Sequence, residues 1–137
     1  MPMEQPAPMP QERSRGKRVL VVDDEWWLAD LAREILTADG HEVDTASNGR
    51  GALRKIQERP YDLIVCDVRM PELDGPSLYR ELARHEPDPL GRFVFMTGAA
   101  HDAATAAFLE QTGAPCLRKP FTVDDLRHVT QRILGSG

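Results

Sequence analysis

Five residues of this chain carry side chains suited to handling a phosphoryl group: Asp23, Asp24, Asp67, Thr97 and Lys119. Three carboxylates brought together repel one another and require a cation. Hard oxygen donors with room for water suit Mg2+, which takes a few carboxylates plus phosphate oxygens. An aspartate carboxylate can attack phosphorus and hold the group as an acyl phosphate. An ammonium beside it neutralises charge on the transferring group. A threonine hydroxyl offers a hydrogen bond to a phosphate oxygen. Singly, each residue has an ordinary structural use: an aspartate caps a helix, a threonine makes a turn, a lysine is a solvated surface charge. The conjunction carries the chemistry, provided that the fold brings the five together.

The elements needed for this are legible. Residues 19–22 (VLVV), 63–66 (LIVC) and 93–96 (FVFM) are continuous apolar runs of the kind found in strands buried on both faces. Residues 42–46 form a weaker, partly alternating strand, and 115–117 a very short one. Between them run helical patterns. Leu28, Leu31, Ala32 and Ile35 mark the first helix, which Gly40 ends. Asn48 is expected to cap a helix carrying Ala52, Leu53 and Ile56, which stops before Pro60. Leu78, Tyr79, Leu82 and Ala83 mark the third, residues 102–112 an alanine-rich fourth, and Leu126, Val129, Thr130 and Ile133 the last, with Thr122 at its N-cap. Residues 85–91 are expected to be loop. Five strands alternating with five helices predict an α/β fold, a parallel sheet with helices on both faces. Ligands bind such sheets at the carboxyl ends of the strands, and all five candidate residues fall there.

Composition narrows the alternatives. The 137 residues suffice for one domain, and the net charge of −5 argues against a free-standing nucleic-acid binder. Arg13, Arg15, Lys17 and Arg18 are read as a solvated linker. Residues 1–16, with four prolines, are expected to be a disordered lead-in, 17–134 the domain and 135–137 a tail. Cys66 and Cys116 lack a CxxC partner or a nearby ligand histidine, so a zinc site is not expected, and two unpaired thiols suit a reducing cytoplasm. No run approaches the length of a membrane span. His41, His85, His101 and His128 share no metal-ligand spacing and are expected at the surface.

The motifs VLVVDDE (19–25), DLIVCDVRMPELDG (62–75), FVFMTG (93–98) and RKPF (118–121) resemble, in this order and spacing, the receiver domains of bacterial response regulators. The resemblance covers about residues 17–134. It implies a flavodoxin-like sheet of order 2-1-3-4-5, with Asp67 as phosphoacceptor and Thr97 and Lys119 contacting the phosphoryl group. It implies Mg2+ held by Asp24 directly, Asp23 through water, Asp67 and the backbone carbonyl of Arg69, and a cis peptide bond before Pro120. That strand order places the fourth strand between those of Cys66 and Cys116, so no disulfide between them is expected. The implied partner is a sensor histidine kinase or a histidine phosphotransfer domain. The implied output is a changed protein-binding face around the fourth helix and fifth strand. Because the chain ends at Gly137, no DNA-binding domain is expected; oligomeric state stays open between monomer and dimer. A stand-alone regulator and the C-terminal receiver of a hybrid sensor kinase are both consistent with it.

The chain departs from the family pattern at the switch position on the fifth strand, where Cys116 replaces the usual aromatic ring. Arg69 and Ala99 occupy positions that, by the resemblance, tune hydrolysis of the acyl phosphate. For Trp26 and Trp27 two readings stay open: a partner-contact patch, or one ring against the sheet edge and one half exposed. A haloacid-dehalogenase-type phosphatase needs a general acid where Arg69 stands. A flavin site is opposed by Asp23, Asp24 and Glu25. A degenerate receiver that signals without phosphorylation remains the main alternative.

Overall fold

The computed structural model describes residues 17–70, 72–85, 87–98 and 103–134. The expected lead-in 1–16, the tail 135–137, Ala99, His101 and residue 102 lie outside the described residues.

The strands are β1 (Arg18–Val22), β2 (Glu42–Ala46), β3 (Leu63–Asp67), β4 (Phe93–Thr97) and β5 (Cys116–Arg118). The helices among the described residues are α1 (Trp26–Ala38), α2 (Gly49–Glu58), α3 (Gly75–His85), α4 (Ala103–Thr112) and α5 (Val123–Leu134). The strands form one parallel sheet in the order β2-β1-β3-β4-β5. The central strands are apolar apart from Arg18 at the start of β1 and Asp67 and Thr97 at the ends of β3 and β4, because both of their faces are covered. Strand alternation divides the core. Val19, Val21, Val65, Val94 and Met96 pack against Ala32, Leu36 and Leu126 of α1 and α5. Leu20, Ile64, Phe93 and Phe95 pack against Ala52, Leu78 and Phe108 of α2, α3 and α4. The second layer is aromatic: Phe95 stacks on Phe93 at 5.2 Å and meets Phe108 edge-on at 5.2 Å, while Tyr79 meets Phe93 and Phe108 edge-on at 5.5 Å.

The expected helix ends are present. Asn48 accepts a hydrogen bond from Gly51 N–H at 2.8 Å. Thr122 and Asp125 form a reciprocal capping box, each bond 3.0 Å. Gly40 follows α1 with φ +96°, a left-handed conformation that favours glycine. Cys66 fills the core and is separated from Cys116 by β4, as expected.

Several expectations fail for reasons of packing. Leu31 was assigned to the buried stripe of the first helix but is 43% exposed, since Leu28, Ala32 and Ile35 already fill the sheet-facing side. The loop expected at 85–91 contains a 3-10 turn at Asp88–Arg92, started by prolines whose fixed φ suits it. His41 is half-buried, not a plain surface residue, and its Nδ1 is enclosed without a hydrogen-bond partner. Burial, first, lowers its pKa. Trp26 and Trp27 are 77% and 54% exposed, so neither ring is tucked against the sheet.

Candidate functional site

Each candidate residue is delivered by a strand end. β1 stops at Val22, and Asp23 and Asp24 follow in the turn into α1. The Asp23 backbone N–H donates to Ala46 O at 3.1 Å, holding that turn to β2. Asp67 is the last residue of β3, opposite Met96 of β4. Thr97 ends β4, and the Lys119 backbone N–H donates to its carbonyl at 2.7 Å, so the end of β4 fixes the start of the lysine loop. The Lys119–Pro120 peptide bond is cis, as the resemblance implied.

Two tight backbone approaches lie near the carboxyl end of β3. A Cβ on Gly75 would lie 2.7 Å from the carbonyl oxygen of Asp67, and one on Gly49 would lie 1.9 Å from that of Leu73. Only glycine permits either. Leu73 itself sits at φ +91° and Glu72 at φ +55°, an uncommon conformation for residues with side chains. Leu73 is held there by packing against the core on the α2–α4 face. Asp74 then caps α3 by accepting from Ser77 N–H at 2.9 Å.

Carboxylate oxygens of Asp23, Asp24 and Asp67 lie within 4.8 Å of one another. Asp24 is exposed, whereas Asp23 and Asp67 are buried. The Lys119 ammonium stands among acids: 2.9 Å from Asp23 Oδ2, 3.1 Å from Asp67 Oδ2 and 3.3 Å from Glu25 Oε1. Burial alone would lower the lysine pKa; the Asp23 and Asp67 carboxylates more than offset this and raise it, so the ammonium stays charged. Asp67 is pushed up to about 6, first by burial and then by the charge of Asp23. Lys119 and a hydrogen bond from the Arg69 backbone oppose this rise.

These residues fit a divalent cation. Three carboxylates, Asp23, Asp24 and Asp67, converge within 4.8 Å, while the Lys119 ammonium contacts Asp23, Asp67 and Glu25. Asp23 Oδ1 accepts from Glu25 N–H at 2.9 Å. Its fully enclosed Oδ2 has no hydrogen-bond partner among the described residues, and the Lys119 ammonium lies 2.9 Å away as an ion contact. A buried carboxylate oxygen in that state has capacity for a cation or its water.

The structure therefore brings Asp23, Asp24, Asp67 and Lys119 together. Thr97 lies on the same rim, but its hydroxyl donates to Gly98 O at 3.0 Å, and the Cys116 thiol approaches it at 4.0 Å. Cys116 is exposed. Sequence reasoning gave no positive role to Glu25, which reaches Lys119; the run of three consecutive acids after β1 was the available signal. It also gave none to Gly49 and Gly75, whose roles depend on what approaches them.

A family model described as "Response regulator receiver domain" matches residues 19–131. The chain is 31% identical to the response regulator receiver protein CpdR of Brucella abortus, covering 86% of this chain and 97% of that protein. It is 34% identical to the transcriptional regulatory protein ZraR of Escherichia coli O157:H7 over 85% of this chain, but only 26% of ZraR. The crystal structure of the receiver domain of NtrX from Brucella abortus superposes with a TM-score of 0.75 at 33% identity, covering 87% of this chain and 99% of that one.

The matches correct one expectation. A receiver without a DNA-binding domain was inferred from the end of the chain at Gly137. Yet the chain spans less than half the length of the transcriptional regulatory proteins it resembles. In these relatives, named as transcriptional regulatory proteins, the matched stretch is one part of a longer chain. Where this sequence stops therefore carries no information about output.

The matched family model, the sheet order and the relatives agree: this chain belongs to the response regulator receiver family of two-component signal transduction.

Proposed function

We propose that Asp67 accepts a phosphoryl group from a phosphohistidine of a sensor kinase or phosphotransfer domain. An Asp67 carboxylate oxygen attacks phosphorus, a P–O bond forms and the P–N bond breaks. The histidine leaves with the electron pair as a neutral imidazole after protonation. Hydrolysis later returns the carboxylate and inorganic phosphate. The observation that carries this reading is the desolvated Asp67 carboxylate, flanked by two further carboxylates and an ammonium at the strand ends.

Asp23, Asp24, Asp67 and the Arg69 carbonyl would hold Mg2+, which when bound supplies positive charge to the phosphoryl oxygens and the attacking carboxylate. Lys119 contributes a second positive charge, 3.1 Å from Asp67 Oδ2. Thr97 contacts a phosphoryl oxygen once its hydroxyl leaves Gly98. Such a module performs only its own phosphorylation and dephosphorylation and turns over no separate substrate. Its place is the cytoplasm, a reading supported by two unpaired cysteines.

Incubation with acetyl phosphate, followed by intact mass, tests the proposal. One added phosphoryl group is expected, requiring both Mg2+ and Asp67 and absent from Asp67→Asn. No adduct, together with no binding of beryllofluoride, would refute it and favour a receiver that signals without phosphorylation.

A further inference from the structure

Glu25 reaches into the site although it belongs to neither the acidic pair nor the phosphoacceptor. Its Oε1 lies 3.3 Å from Lys119 Nζ, while its backbone N–H donates to Asp23 Oδ1 at 2.9 Å. The ammonium has three acidic neighbours within 3.3 Å: Asp67 and Glu25, which accept its hydrogen bonds, and Asp23 as an ion contact. Two of these neighbours are buried; the Glu25 side chain is about half exposed, at the outer side of the pocket. An incoming phosphoryl oxygen that engages Lys119 competes with these acids for it, and Glu25 is the least enclosed. Its negative charge also faces an anionic donor on approach.

We propose that Glu25 is a positioning residue: its carboxylate holds the Lys119 ammonium in the resting protein and competes with the phosphoryl group for it, slowing uptake. This rests on the reading of Asp67 as phosphoacceptor. An exposed ion pair of this kind contributes little to stability, so its effect belongs to the site and not to the fold.

Two variants separate contact from charge. Glu25→Gln keeps the length and removes the charge. Glu25→Asp keeps the charge and shortens the arm by one carbon–carbon bond, about 1.5 Å. The chain has three lysines, Lys17, Lys55 and Lys119, so 1H–15N spectra of the ammonium groups are readily assigned. In Mg2+-free protein, a restrained Lys119 resonance is expected, and both variants should shift or broaden it. A Lys119 signal that is unrestrained in the parent protein, or unmoved in both variants, overturns the proposal. At saturating Mg2+, both variants should take up phosphoryl groups from acetyl phosphate about three- to tenfold faster, the size expected for losing one partly solvated charge contact. Slower or unchanged uptake overturns it. So does acceleration by Glu25→Gln alone, which would assign the effect to net charge, and so does a large fall in melting temperature, which would assign Glu25 to the fold. If the parent protein takes up no phosphoryl group, the phosphoacceptor reading fails, while the lysine spectra still decide whether Glu25 holds Lys119.

Discussion

Replacing Asp67 with asparagine should stabilise the metal-free protein at neutral pH. The Asp67 carboxyl titrates near 6 in the folded state, against an ordinary 3.8, because burial and the charge of Asp23 outweigh Lys119 and the Arg69 hydrogen bond. Between these values the folded protein binds more protons than the unfolded chain, so stability falls as pH rises through this window and stays reduced above it. A difference of about 2 units corresponds to a ceiling of about 3 kcal/mol. Asparagine has nearly the same shape and no charge to desolvate. Allowing for the coupling of Asp67 to Lys119 and Asp23, a gain of about 1–3 kcal/mol is expected, or about 4–12 °C in melting temperature for a domain of this size. The assay is thermal unfolding followed by circular dichroism, with chelator, at pH 7.5 and pH 4. Asp67→Asn should melt higher at pH 7.5 and level with the parent at pH 4. Added Mg2+ should narrow the gap by stabilising the parent. A variant that melts lower at pH 7.5, or that differs equally at both pH values, would refute the reasoning.

Mg2+ binding, followed by the fluorescence of Trp26 and Trp27 beside the acidic pair, should weaken as pH falls below about 6, because protons compete for Asp67; affinity independent of pH from 5 to 7 would contradict this. Gly49→Ala should displace the loop through Leu73 and destabilise by at least about 1–3 kcal/mol, since its Cβ would overlap the Leu73 carbonyl; denaturant titration reads this directly. Phe95→Ala, which removes the ring at the centre of the aromatic layer, should cost about 3–5 kcal/mol in the same assay. Asn48→Ala should cost about 1 kcal/mol through loss of the cap on α2, and an unchanged midpoint would show the cap to be dispensable.

The sequence alone determined the alternation of strands and helices, because strands buried on both faces must be continuously apolar and amphipathic helices must repeat every three or four residues. It placed the polar residues of the site at strand ends for the same reason: a buried strand tolerates charge only where it leaves the core. It specified caps such as Asn48 and Thr122, whose bonds reach only three residues along the chain.

Tertiary structure decided what depends on distant neighbours. Leu31 and the two tryptophans have apolar side chains, but whether a helix position is covered depends on how many residues the sheet beneath can contact. His41 is enclosed by segments remote in sequence, which its own neighbours do not reveal. The requirement for glycine at 49 and 75 arises from carbonyls at Leu73 and Asp67 that only the folded loop brings close. The position of the Lys119 ammonium among Asp23, Glu25 and Asp67 joins residues 52 to 96 positions apart. Residue types nominated Asp23, Asp67 and Lys119 but not Glu25, and only the closing of β1, β3 and the β5 loop onto one rim sets the ångström distances on which their chemistry depends.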